Sequence, residues 1–503
     1  MQLKVIPMKS THRISKLLFA YALTCVSALA AEYTITGVAP SGSADRFYGL
    51  DRAISEGKVS PVPPSGKILS TDDVIVLNYY DIYDSTFSVN KFDYTSNGMH
   101  GKGLSIYGTA NYTFKEGYFR VWYDKNPDDV RDCEFINLNN GAKWTVNGSI
   151  MTSSNIRFGQ STTMFGAPVM TFNPYAPGVE SVSNVNNFVI YYGNNGNTSA
   201  TLNINEGAIV KANGVTTTTR ESGHTYDYYT VFNINGGALY LGGFTYSFSG
   251  DNFTINHLSG TFGAKDSRVA LSRNGLDGTL KYVIGSNAVF DTSGRGITFD
   301  SSVDLVSASG VKGGLTIKGG GDFILNCSLD AVTGNVVVSE GTYVSASTGW
   351  FNNAQSVRVG SGSFISLDGD PEENPETCSL VLNSNSKIII DVADEYNFGY
   401  IMGGYGDITI TTSDGSYGAL QFVIDADAFA YSDSITMTLN EVIGDTKFVD
   451  WDAFDISAGE YAHVLNGDGT ITFMAVPEPG TVAVLAGLIA MGIAVARRSF
   501  GRR

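Results

Sequence analysis

Cysteine is scarce in this sequence: beyond Cys25 there are only Cys133, Cys327 and Cys378 in a chain of 503 residues. Three thiols allow one bridge at most, so no disulfide framework holds the body, and without a Cys-x-x-Cys pair there is no redox or zinc signature. Histidine is nearly as sparse. His100, His224, His257 and His463 fall at no metal-ligand spacing, and an ordinary surface or turn position is the expected place of each. Charged residues make up 16% of the chain, against about 25% in a typical domain. There is no Gly-x-Ser-x-Gly elbow, no His-Glu-x-x-His and no phosphate-binding loop. The chain is therefore expected to be non-enzymatic, without a cofactor.

Positive charge is the rarest of all in the middle of the chain. The formal charge is −17, but four basic residues sit near each terminus; setting these and Glu478 aside leaves 24 basic against 48 acidic residues, a charge near −24. Such a field repels nucleic acid and anionic lipid, so nucleic acid is excluded as a partner. Two acidic loops, "DKNPDDVRDCE" (124–134) and "DGDPEENPE" (368–376), are candidates for Ca²⁺ or for a carboxylate pair. Solvated turn acids are their commoner role. A structural Ca²⁺ is thus the sole metal to consider.

What is abundant points to strands. Gly (58), Tyr (27) and Phe (28), together with Ser, Thr, Asn and Val, favour strands joined by tight turns. An alternating strand, a small Gly or Asn turn and a second strand recur from "FINLNNGAKWTV" (135–146) and "LNINEGAIVKANG" (202–214) to "LVLNSNSKIIIDV" (380–392). Expected turn positions are Gly207, Gly237, Gly260, Asn287, Gly320, Gly341, Gly362 and Asn385. Alternation places Leu202, Ile204, Phe232 and Ile234 on one face, an apolar stripe that one unit cannot bury alone. Stacking like units buries it. The fold class is therefore all-β, with a parallel β-helix or β-solenoid body; a meander of hairpins in a β-sandwich is the alternative, since such turns join antiparallel strands equally well. The expected organisation is a signal peptide (1–30), an N-terminal β cap (31–130), the solenoid (131–395), a C-terminal β region (396–474) and a tail (475–503).

The two ends carry addresses. Lys4, Lys9, Arg13 and Lys16 precede an apolar run from Leu17 to Leu29, and Ala28, Ala30 and Ala31 form a small-residue cleavage site. This is a signal peptide, helical in its apolar part, that implies export through the Sec translocon. At the other end, Thr481 to Ala496 is uncharged, roughly 24 Å as a single transmembrane helix. Arg497, Arg498, Arg502 and Arg503 then stop transfer and hold the C-terminus in the cytoplasm. Between body and helix, Pro477 and Pro479 keep the chain extended, the form a protease reads.

Val476-Pro477-Glu478-Pro479, the apolar span and the arginine cluster resemble the PEP-CTERM sorting signal of Gram-negative bacteria. That resemblance implies a membrane-embedded exosortase-type protease as partner, transient inner-membrane tethering, and delivery to the cell surface or extracellular matrix. Permanent anchoring would need the tail to escape cleavage. In addition, "LTIKGGGDFILNCSLDAVTGNVVVSEGTYVSA" (315–346) resembles the autotransporter-associated β-strand repeat, through Gly319, Gly321, Thr333-Gly334 and Gly341-Thr342. It implies a parallel β-helical exported region, although Cys327 replaces a usual glycine and no translocator barrel follows.

The resulting expectation is a structural or adhesive protein that contacts extracellular polysaccharide. The rival is a polysaccharide lyase or glycoside hydrolase on the same scaffold, which would bring carboxylates such as Asp322 and Asp368 together in a groove. Trp122, Tyr123, Tyr228, Tyr229, Trp350 and Phe351 are candidates for stacking on sugars, with packing their commoner role.

Overall fold

The computed structural model describes residues 32–35, 46–47, 59–60, 74–77, 81–89, 91–97, 104–114, 119–124, 130–132, 135–138, 141–150, 152, 154–159, 167–192, 199–219, 228–245, 251–273, 278–327, 332–347, 354–368, 377–382, 385–403, 407–412, 417–430, 432–444 and 450–475. The described residues are nearly all-β, with long parallel sheets, as the composition favours. The described residues form two compact units. One runs up to Ala212 and includes 217–219; the other holds Asn213–Thr216 and everything from Tyr228 onward.

In the first unit, Leu104–Phe114 pairs in parallel with Asp81–Val89 before it and with both Phe135–Leu138 and Lys143–Asn147 after it. From there two arms are built. Phe135–Leu138 pairs with Asn155–Phe158, which pairs with Ser181–Tyr192. Lys143–Asn147 pairs with Val169–Asn173, which pairs with Ser199–Asn205. Register stacks like upon like: Trp144, Met170 and Leu202 form one column, Val146, Phe172 and Ile204 the next, and all six are buried. Phe172 meets Phe188 edge-on at 6.5 Å, which joins the inner faces of the arms. A separate sheet carries Glu32–Ile35, Val74–Leu77, Lys91–Asn97 and Phe119–Asp124 in parallel.

The second unit begins with three long strands, Tyr228–Leu241, Asp251–Ala264 and Gly278–Asp291, parallel along their whole length. The strand–turn–strand pattern expected around Gly237, Gly260 and Asn287 is not what forms here. Each segment is one continuous strand, bent at a register shift such as that between His257 and Ser259. A bulge turns the chain while its neighbours stay hydrogen-bonded, so no turn residue has to leave the sheet. Gly260, at φ +89°, sits at this bend because a Cβ there would strike the Gly237 carbonyl of the neighbouring strand.

Further along, the expected pattern holds. Leu315–Lys318 and Asp322–Leu325 are separated by Gly319, Gly320 and Gly321, the first two at φ +100° and +71°, a region that favours glycine. The next two units, Asn335–Val338 with Tyr343–Ser347 and Ser356–Val359 with Phe364–Asp368, repeat it. Within a unit the two strands do not pair with each other. Leu315–Lys318 pairs with Asn335–Val338, and Asp322–Leu325 with Tyr343–Ser347, both in parallel. A hairpin meander would give antiparallel pairs inside each unit, so these long parallel sheets are of the kind a β-solenoid builds and a meander does not.

The core of this unit is aromatic. Phe290 lies within 6.3 Å, ring centre to ring centre, of His257, Phe262, Tyr282, Phe299 and Phe323. At the C-terminal end the pairing turns antiparallel, with Thr470–Met474 between Ser434–Thr438 and Ala462–Leu465. Thr470–Met474 thus forms a hairpin with Ala462–Leu465, whereas Asp407–Thr412 pairs in parallel with Thr377–Leu382. Phe473 packs on Phe422 at 4.9 Å, and the Gly444 amide donates to the Ile401 carbonyl in Tyr400–Gly403.

Candidate functional site

The sorting and processing residues, Val476, Pro477, Glu478, Pro479, Arg497, Arg498, Arg502, Arg503, Ala28, Ala30 and Ala31, lie outside the described residues. So do the span 481–496, His100, His224, Trp350 and Phe351, and the side chains of Trp122, Tyr123, Tyr228, Cys133, Cys378 and Asp368. Among the described residues no helix is long and apolar enough to cross a membrane. Nor does any group of three His, Cys, Asp or Glu side chains there stand ready to hold a metal.

His257 is wholly buried. Its Nε2 lies 2.8 Å from the Gly260 carbonyl, which accepts only, so Nε2 carries the proton and Nδ1 accepts from the Tyr282 hydroxyl at 2.9 Å. Burial depresses the imidazole pKa to about 4, with the Gly260 bond opposing. Both ring nitrogens are spent on the bulge, so this histidine is a clasp in the core. His463 sits in Ala462–Leu465 opposite Phe473. Cys327 is a free, buried thiol whose pKa is pushed up to about 12 by desolvation, far from a reactive thiolate.

Three carboxylates of the second unit are engaged by neighbours. Asp322 pairs with the Arg268 guanidinium, which reaches it across Gly296, where a Cβ would stand 3.0 Å from the Arg268 Nε. Asp291 accepts from the Tyr240 hydroxyl at 3.1 Å, and the Tyr240 ring lies over Gly263 in the same way. In each case a glycine on the intervening strand opens a notch for the side chain. Asp391 receives Arg358 Nε on both oxygens at 3.0 Å. Among the described residues, then, Asp322 meets an arginine and not a second carboxylate. Tyr229 is the one sugar-stacking candidate whose side chain is described, and it is half exposed.

Hydrogen bonding between rungs concentrates instead on outward amides and hydroxyls. In the first unit Asn205 donates to Asn173 at 2.7 Å, and Asn173 donates to Asn147 at 2.9 Å. Beside that row Asn203 donates to Thr171 at 3.2 Å, and on the other arm Asn187 donates to Asn155 at 3.0 Å. The second unit repeats the device with Asn256 and Asn233 at 2.8 Å. Sequence reasoning followed the inward positions and passed over these. The signal is nevertheless present as the alternate residues of "KWTVN", "VMTFN" and "TLNIN", whose outward members are chiefly Thr and Asn.

No family model, curated protein or solved structure matches this chain.

Proposed function

We propose that the chain is an exported structural or adhesive protein: a parallel β-solenoid body carried across the inner membrane by residues 1–30 and held by the apolar segment 481–496. Release by an exosortase-type protease at Val476-Pro477-Glu478-Pro479 then passes it to the cell surface or extracellular matrix. The observation that carries the reading is the rung-on-rung parallel register, which sets outward amides and hydroxyls in rows. A surface with one chemistry repeated along it suits contact with a polymer whose own chemistry repeats. Net negative charge supports it too, since self-repulsion keeps such a body soluble during export.

Mature protein from cells with and without the sorting protease tests the route. A C-terminus lying between Ala475 and Thr481 only when the protease is present is expected; an intact Arg503 in both overturns it. Incubating the protein with neutral and anionic polysaccharides tests the role: sedimentation with a polymer is expected, and turnover lost on substituting one carboxylate would make it an enzyme.

A further inference from the structure

We propose that Thr145, Thr171 and Asn203, with Asn147, Asn173 and Asn205, form a binding face for an extended, neutral polysaccharide. The inference rests on the adhesive reading and locates its contact surface. These residues belong to Lys143–Asn147, Val169–Asn173 and Ser199–Asn205, whose register sets Thr145 beside Thr171 and Thr171 beside Asn203. The other row runs through Asn147, Asn173 and Asn205, which hydrogen bonds link in turn. Neighbouring strands lie ~4.8 Å apart, and alternate residues on one strand about 6.6 Å apart. Six polar groups thus occupy a two-by-three grid of fixed dimensions.

The grid is held rigid from beneath. Between its members the same strands bury Trp144, Val146, Met170, Phe172, Leu202 and Ile204, and a slip by one residue would turn this apolar set to water. Each grid residue keeps part of its surface accessible. A ligand therefore meets ordered groups and loses little entropy to ordering them.

Hydrogen-bond capacity points to hydroxyls on the ligand. A carboxamide has two N–H donors and an oxygen with two lone pairs. Asn173 donates once, to Asn147, and accepts once, from Asn205, which leaves it one donor and one acceptor among the described residues. Sugar hydroxyls are donors and acceptors at once and match that pair. The advance from strand to strand is close to the length of one pyranose ring, so a glycan lying across the strands meets the same group at successive sugars. Charge decides which glycan: all six residues are neutral, in a chain of formal charge −17. Lys143, exposed on the same face beside Thr145, is a single cation set against that chain-wide negative field, which repels an anionic polymer.

The test uses the full chain in mild detergent and particles of cellulose and chitin, with a polygalacturonate gel as the anionic counterpart. Thr171→Glu puts a charge at the centre of the grid, Asn173→Asp keeps the shape but removes the donor, and Thr171→Val deletes one hydroxyl with almost no change of volume. Thr254→Glu, on an outward position of the other unit, is the control, and circular dichroism checks that each variant folds. Wild type is expected to sediment with cellulose or chitin. Thr171→Glu and Asn173→Asp should bind about tenfold more weakly, Thr171→Val less weakly than these, and the control like wild type. Equal binding by wild type and the grid variants overturns the inference and leaves the adhesive reading standing. Preference for polygalacturonate overturns it as well, as does slowed ice growth lost in the same variants, which would assign the grid to ordered water. If wild type binds no polymer, the adhesive reading falls, and the inference with it.

Discussion

The Tyr282 hydroxyl donates a 2.9 Å hydrogen bond to Nδ1 of His257 across two neighbouring parallel strands, and neither side chain is exposed. The bond needs a neutral imidazole, and burial supplies one by lowering the pKa from 6.5 to about 4. Between those two values the unfolded chain takes up a proton that the folded chain refuses. Stability from this residue is therefore complete above about pH 6.5 and falls as the pH drops towards 4, by about 3 kcal/mol at most. Urea unfolding of wild type and His257→Gln at pH 7 and pH 4.5 checks this. The variant should be less stable at pH 7 and lose less on acidification; an equal loss in both would show that other groups set the acid response.

Glycines separate close approach from simple turn geometry. Gly260→Ala places a methyl group on the Gly237 carbonyl at φ +89°, where backbone strain and overlap add, and about 3 kcal/mol or more should be lost. Gly459, at φ +61°, has nothing within 4 Å of a Cβ, so Gly459→Ala meets conformational strain alone, about 1 kcal/mol. Thermal unfolding of the two variants under one condition should rank them clearly. Similar melting temperatures would mean that the long strands can spread to admit the methyl group.

Cys327 is buried among core residues, and desolvation holds its thiol protonated at neutral pH. Alkylation of native protein, read peptide by peptide in a mass spectrometer, should leave Cys327 unmodified and label it fully in urea. Rapid native labelling would place this strand end in water.

How far the sequence discloses this structure depends on how each corner is made. From Leu315 to Asp368 the corners carry glycines such as Gly319, Gly320, Gly341 and Gly362 with positive φ, and the strand boundaries can be read directly. From Tyr228 to Asp291 the corners are bulges inside unbroken strands, and a bulge is a matter of register with the next strand, which local sequence does not state. Inward columns such as Trp144, Met170 and Leu202 are legible from alternation. The outward grid is less so, because one Asn at alternate spacing looks like any solvated position until register sets three in a row. Notches at Gly263 and Gly296, spanned by Tyr240 and Arg268, depend on residues two strands apart and have no local signature.

The Arg268–Asp322 pair tests a different point, because both side chains are more than 40% exposed. Water screens such a pair, which typically contributes under about 1 kcal/mol. Asp322→Asn should leave the urea midpoint almost unchanged. A large loss would mean that the guanidinium is held in the Gly296 notch for a structural purpose that ion pairing alone does not supply.

Buried hydroxyls at the corners are a stronger constraint than these surface charges. Thr342 is fully buried, accepts at Oγ1 from the Gly320 amide at 3.1 Å, donates to the Ser339 carbonyl at 2.6 Å, and has its own amide bonded to Ser363 Oγ at 3.2 Å. One rung earlier the Gly321 amide donates to Thr292 Oγ1 at 2.8 Å. The hydroxyls thus take up backbone donors that the turn has removed from the sheet ladder, one of them buried at Gly321 and the other at Gly320, which is itself exposed. Thr342→Val preserves volume but removes the acceptor of the Gly320 amide and the donor to the Ser339 carbonyl, and losing such bonds at a part-buried site costs about 1 kcal/mol. Thr342→Ser keeps the oxygen and should recover most of that loss. Hydrogen exchange at Gly320 distinguishes the causes: faster exchange in Thr342→Val but not in Thr342→Ser follows from the missing acceptor, whereas equal protection in both would put the cost down to packing.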